Sequence, residues 1–145
     1  MCYAIYLSTD TNQDLSLENS DLIHFERRTV EEPFSSMLLY GQQWYVGSKS
    51  GCSCTFRHLY SVDLGFGEPV DWYPEDEDEI AATLLFVNVV RSIIKRGHKV
   101  DCIDAWYGAT KEEIIEKQVN LDELNDAQFR FFENYHFSFE HNKVD

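Results

Sequence analysis

The chain reads as an α+β domain: a mainly antiparallel sheet packed against one long helix and shorter C-terminal helices. Three observations carry this reading. Residues 75–96 are periodic in apolar side chains and have helix-end chemistry on both sides. Short runs rich in Tyr, Ile, Val and Phe, separated by Ser, Asn, Gly and Pro, lie before and after them. A length of 145 residues with 43% hydrophobic composition is enough to bury one core without disulfide staples. Residues 1–145 are therefore expected to form a single globular domain, and no internal repeat or low-complexity linker divides them.

Residues 2–8 carry Tyr, Ile and Leu and run into the polar stretch 8–12, as a strand ending in a turn does. Both faces are largely apolar, which places this strand inside a sheet rather than at its edge. Residues 21–28 are a second candidate strand, followed by the loop signal Glu31-Glu32-Pro33. In 37–47 a Gly41-Gln42-Gln43 break interrupts the apolar residues, suggesting two short strands or a hairpin. Small residues from Gly47 to Ser53 then make a flexible approach to a loop, or to the start of a strand running through Leu59.

The helix over 75–96 has Pro74 at its entry, acids at 75–79 in its first turn and Lys95-Arg96-Gly97 at its exit. Ile80, Leu84, Val87, Val90, Arg91 and Ile94 follow helical spacing, and Leu85, Phe86, Val89 and Ile93 widen the stripe toward a sheet. Residues 100–107 read as the next strand, with Asp101 and Ile103 on one face and Cys102 and Asp104 on the other. Thr110 and Glu113 have capping-box spacing for a short helix through Lys117. Residues 119–124 favour neither state. Asp126 is expected to open another short helix carrying Phe129, Phe131, Phe132 and Tyr135, and 136–140 alternate as a last strand.

Twenty-six Asp and Glu against 12 Lys and Arg give a formal net charge of −14. Such a chain is repelled by phosphate backbones and anionic membrane surfaces, so direct nucleic-acid and membrane partners are not expected. The longest apolar stretch is interrupted by polar residues and falls well short of the roughly 20 apolar residues a membrane span requires. With no basic leader before its first apolar run, the chain is expected to be cytoplasmic, with reduced thiols.

Chemistry concentrates at Gly51-Cys52-Ser53-Cys54-Thr55-Phe56-Arg57-His58, which holds two of the four cysteines. Two thiols two residues apart are soft donors, and Cys2, Cys102 or His58 can complete a tetrahedral shell for zinc or another soft metal. The expected metal set is thus Cys52, Cys54, Cys2, Cys102 and His58. The spacing is not that of paired Cys-x-x-Cys knuckles. A plain alternative makes Cys2 and Cys102 small core hydrophobes and lets Cys52 and Cys54 line a tight turn. A second functional reading is an acidic interaction factor, an immunity protein, inhibitor or nucleic-acid mimic, engaging a basic partner. A third is a thiol enzyme or redox protein with Cys52 or Cys54 activated by Arg57 or His58.

Other motifs are weaker. Gly65-x-Gly67 lacks the third glycine and the strand–helix context of a phosphate loop, while Trp72 and Tyr73 suit either a ligand platform or a clamp onto the core. The acids at 75–79 lack the spacing of a calcium loop and complement a helix dipole instead. Taken together, Met-Cys-Tyr-x-Ile-Tyr-Leu-Ser-Thr at 1–9, Trp-Tyr-Val-Gly-Ser at 44–48, Gly-Cys-Ser-Cys-x-Phe-Arg-His at 51–58 and Gly-Phe-Gly-Glu-Pro-Val-Asp-Trp-Tyr-Pro at 65–74 resemble a group of small bacterial proteins. The resemblance implies a bacterial, single-domain protein and brings no activity, cofactor or catalytic residue with it.

Overall fold

Asp76 starts the long helix by accepting the backbone N–H of Asp78 at 3.0 Å, and Glu77, Asp78 and Glu79 place negative charge on the positive end of the dipole. At the other end Gly97 takes φ +90°, so that its N–H reaches the Ile94 carbonyl and the N–H of His98 reaches that of Ile93. This is a Schellman stop, which needs a residue without Cβ strain at that φ. The helix is α2 (Glu77–Lys95). It begins two residues later than 75–96 predicts, because Glu75 is drawn away into an ion-pair cluster.

The structure is a computed structural model and describes residues 3–27, 29–30, 32–49, 53–59, 66–68, 70, 75–106, 108–125 and 128–140, with backbone alone at 58 and 59. The remaining elements are β1 (Tyr3–Thr9), β2 (Ile23–Glu26), α1 (Phe34–Met37), β3 (Gln42–Ser48), β4 (His58–Leu59), β5 (Val100–Trp106), β6 (Ile115–Asn120), β7 (Phe131–Phe132) and β8 (Tyr135–Glu140). Six strands form one sheet in the order β2-β3-β1-β5-β8-β6, and β4 pairs with β7 separately. All pairings of the large sheet are antiparallel except β6 with β8. A mixed α/β architecture with one main helix results, and β1 is interior as its two apolar faces predict.

The period-two pleat sorts the sheet's side chains. Ile5, Leu7, Trp44, Val46, Cys102, Phe137 and Phe139 share a buried cluster with Phe86, Val90 and Ile93 of α2. On the opposite face Ile103 and Ala105 pack with Val30, Phe34, Leu38 and Ala109, so the segment around α1 covers what α2 does not. Both faces are therefore dry near the centre, which explains why β1 and β5 contain so few exposed residues. The helix stripe sits slightly off the predicted line: Ala82, Thr83, Phe86 and Val90 are buried, whereas Ile80 and Leu84 lie at its flank.

The C-terminal half departs from expectation. In place of a helix over 110–117, the capping box of Thr110 and Glu113 closes only a 3-10 turn at Lys111–Glu113, and β6 starts at Ile115. A hydrogen bond from the Ile115 N–H to the Asn134 carbonyl at 2.9 Å, followed by the parallel ladder to β8, outweighs the local helical signal. Residues 126 and 127 lie outside the described part, and in place of the predicted helix carrying Phe129 and Phe131, residues 129 and 130 have no regular structure and lead into β7. Phe129 and Phe131 sit two residues apart and both rings reach Phe86 and Phe137, a placement that strand spacing allows. Between 37 and 47 there is one strand, not a hairpin; Met37 ends α1. Among the described residues no helix is long and apolar enough to cross a membrane.

Candidate functional site

The cysteine segment folds back onto the sheet between β3 and β4. Ser53, fully buried, accepts the Ile5 N–H at 3.0 Å and donates to the Val46 carbonyl at 2.5 Å. Ile5 and Val46 are register partners, so one hydroxyl bridges the β1–β3 ladder where the cysteine segment meets it. Thr55 adds a second tie, its N–H donating to Ser48 Oγ at 3.2 Å, and Phe56 inserts into the main core. The described part of the cysteine segment is thus anchored at residues 53 and 55, because short hydroxyl side chains can satisfy strand-end backbone groups.

Arg57 continues the anchoring. Its N–H donates to Thr83 Oγ1 on α2 at 2.9 Å, and its carbonyl accepts from the Phe131 N–H at 2.8 Å. The guanidinium, 1% exposed, makes a two-point contact with Glu75 at 2.6 and 2.9 Å and reaches the carbonyls of Gly67 and Phe129. Arg130 meets the same carboxylate at 3.1 Å and the Glu68 carbonyl at 3.3 Å. One glutamate therefore ties the cysteine segment, the loop before α2 and the stretch leading to β7. Phe66 of that loop stacks on Phe129 and Phe132, supplying the core clamp considered for Trp72 and Tyr73, which lie outside the described residues.

The predicted metal donors are distributed unevenly. Cys54 is partly buried in the turn, while Cys2 and Cys52 lie outside the described residues and so does the side chain of His58. The backbone of His58 opens β4, opposite Phe131; since residues 53–56 are turn and bend, the shared-face spacing expected of a continuous strand does not extend back to Cys54. Cys102 is a core residue in register with Leu7 and Phe137, and burial, then the charges of Asp101 and Asp104, push its thiol well above the ordinary value. Among the described residues no group of three or more His, Cys, Asp or Glu could hold a metal ion.

A second polar cluster lies on the sheet face away from α2. Asp101 accepts from Ser8 Oγ through Oδ1, while its Oδ2 accepts from the Leu39 N–H at 3.0 Å and faces His136 Nε2 at 2.6 Å. Ser8 also accepts the Tyr40 N–H at 3.2 Å. The order is Ser–Asp–His, with the carboxylate in the middle, so the histidine is not placed to take the serine proton as a general base would. Asp101 and Ile103 do share one face, as their alternation predicts. The partner His136 was invisible to local motifs because it comes from a strand 35 positions away. One sequence signal did exist: Asp is disfavoured inside strands, and β5 contains two, both fully buried.

Compared with protein-family models, curated proteins and solved structures, the chain matches none. Its own chemistry must carry the functional reading. Ser53→Ala is expected to cost about 1–3 kcal/mol, since the Ile5 N–H and Val46 carbonyl both lose a buried partner. It should also speed modification of Cys54 by a thiol reagent; unchanged stability and unchanged reactivity would contradict the anchoring role.

Proposed function

We propose that this chain is a small cysteine-dependent protein that binds zinc or another soft metal ion through Cys52 and Cys54, with Cys2 and His58 as further donors. The observation supporting it is the Ser53 bridge. That bridge holds the residue between Cys52 and Cys54 against β1, the strand that begins one residue after Cys2. Thiolates are soft, charge-dense ligands, and a segment already ordered by hydrogen bonds loses little further entropy on metal capture. Cys102 stays outside the proposed set, because it is enclosed in the apolar core in register with Leu7 and Phe137. A cytoplasmic setting, where thiols remain reduced, suits this reading.

Purified protein kept reduced and supplied with zinc is expected to retain one equivalent by elemental analysis, lose it to a chelator, and gain accessible thiols as it does so. Cys54→Ser should abolish retention while Cys102→Ser leaves it intact. Absence of stoichiometric metal in the unmutated chain overturns the proposal.

A second reading, an acidic factor engaging a basic protein, is favoured by a different observation. Arg57 and Arg130 are each 1% exposed and bound to Glu75, so positive charge is withdrawn from a surface already dominated by acids. Binding to a basic polypeptide should weaken steeply with salt, and salt-independent association would count against it. The same burial weakens the thiol-enzyme reading, since the Arg57 guanidinium is engaged by Glu75 and backbone carbonyls.

A further inference from the structure

His136 occupies an unusual position on the outer half of the sheet. Ser8 of β1 and Asp101 of β5 are register partners, as are Glu116 of β6 and His136 of β8; His136 itself stands opposite Ile103 and reaches diagonally to Asp101. Four side chains thus form a continuous polar row across four neighbouring strands. At one end of the ring Nε2 is 2.6 Å from Asp101 Oδ2, and at the other Nδ1 is 2.7 Å from Glu116 Oε2. The second contact has ion-pair distance but lacks hydrogen-bond alignment, so it is an attraction of charge to charge.

The two carboxylates are not equivalent. Asp101 is wholly buried and also serves Ser8 and the Leu39 N–H, so it cannot turn to water without leaving those groups behind. The Glu116 side chain is 64% exposed and can rotate into solvent at little cost. An imidazole ring can present a proton to carboxylates on both sides only as the cation; neutral, it has one N–H and one lone pair. The remaining proton then belongs on Nε2, facing buried Asp101, and the Nδ1 lone pair is turned on Glu116.

We propose that His136 is a pH-operated clasp on the outer strand: protonated, it holds β6 to β5 through Glu116 and Asp101, and on losing a proton it releases Glu116 and loosens β6. β6 is suited to this because among the described residues it ends the sheet order and pairs on one side only, with β8, in the parallel geometry that is slightly the weaker per residue. Among the described residues the titratable groups facing the ring are Asp101 from β5 and Glu116 from β6. Tyr40, from the segment before β3, lies near Asp101, and burial followed by the charges of Asp101 and Asp10 pushes its phenol up, so it stays neutral. Lys117 lies over Phe66 instead.

Burial alone would push His136 down. Hydrogen bonding to Asp101, then the close approach of Glu116 and the charges of both carboxylates, outweigh it and hold the imidazole above its ordinary value of 6.5. A raised value means the clasp contributes fully below the ordinary histidine range and is lost as pH rises through the folded-state value.

Amide hydrogen exchange over residues 115–120, corrected for the intrinsic base-catalysed rate, tests the clasp across a pH series that runs from below the ordinary histidine value to well above it. Protection should fall about two- to fivefold, the worth of a partly exposed ion pair, with a midpoint that coincides with the NMR titration of the His136 ring. In Glu116→Gln the fall should vanish, since an amide can accept from a protonated Nδ1 and donate to a bare one. A flat profile in the unmutated chain, an equal fall in both proteins, or a His136 ring titrating at or below the ordinary value would each overturn the proposal. The ring titration needs no variant, so the test survives any folding defect.

Discussion

Replacing Glu75 with alanine is expected to cost about 3–5 kcal/mol of unfolding free energy, because removal of one partner from a buried ionic cluster leaves the desolvation of the others uncompensated. Two guanidiniums depend on this carboxylate, Arg57 through both of its oxygens and Arg130 through one. The loss should appear as a lower urea midpoint at unchanged slope. Glu75→Gln keeps an acceptor without the charge and should fall between. A cost below about 1 kcal/mol, the value of a surface pair, would show that the cluster does not hold the segment in place.

Glu75 also gives the cluster an acid limit. Burial by itself would push its carboxyl up, but hydrogen bonds and charge from Arg57, then from Arg130, hold it below the ordinary glutamate value. A lowered value means the contribution is complete above the unfolded-state pKa and disappears as pH falls through the folded one. Since Arg57 lies three residues after Cys54, acidification should loosen the cysteine turn as well as the whole fold.

Phe129→Ala is the second large effect, expected at about 3–5 kcal/mol for a fully buried aromatic ring. The ring lies 5.1–6.1 Å from those of Phe131, Phe137, Phe66, Phe139 and Phe86, joining the loop before α2, the helix and both small and large sheets. Alanine leaves a cavity among Phe86, Phe131 and Phe137, which are themselves fully buried. Phe129→Leu should cost less, about 1–2 kcal/mol, because it retains most of the buried volume. Equal losses for the two substitutions would point to an aromatic-specific effect instead of cavity formation.

What local sequence determined is what short-range chemistry can decide. Asp76, the acids after it and Gly97 bound α2 within two residues of the predicted ends, since capping and dipole effects act within one turn. The apolar faces of β1, the alternation of β5 and the pattern of 136–140 likewise produce β1, β5 and β8 close to where they are expected. Charge is equally direct, being a sum over residues.

Tertiary structure decided the rest. The capping box at Thr110 is real, yet 115–120 become a strand because β8 offers a ladder that a short isolated helix cannot match. Phe129 and Phe131 follow the aromatic core and β4 over any local preference. Neither the Arg57–Glu75–Arg130 cluster nor the Ser8–Asp101–His136–Glu116 row has a local motif: their members are brought together by strand register and loop closure across long separations. Cys102 shows the division most clearly. Residue type and spacing admit it as ligand or as core hydrophobe, and only its position between Leu7 and Phe137, sealed under α2, places its thiol in the core.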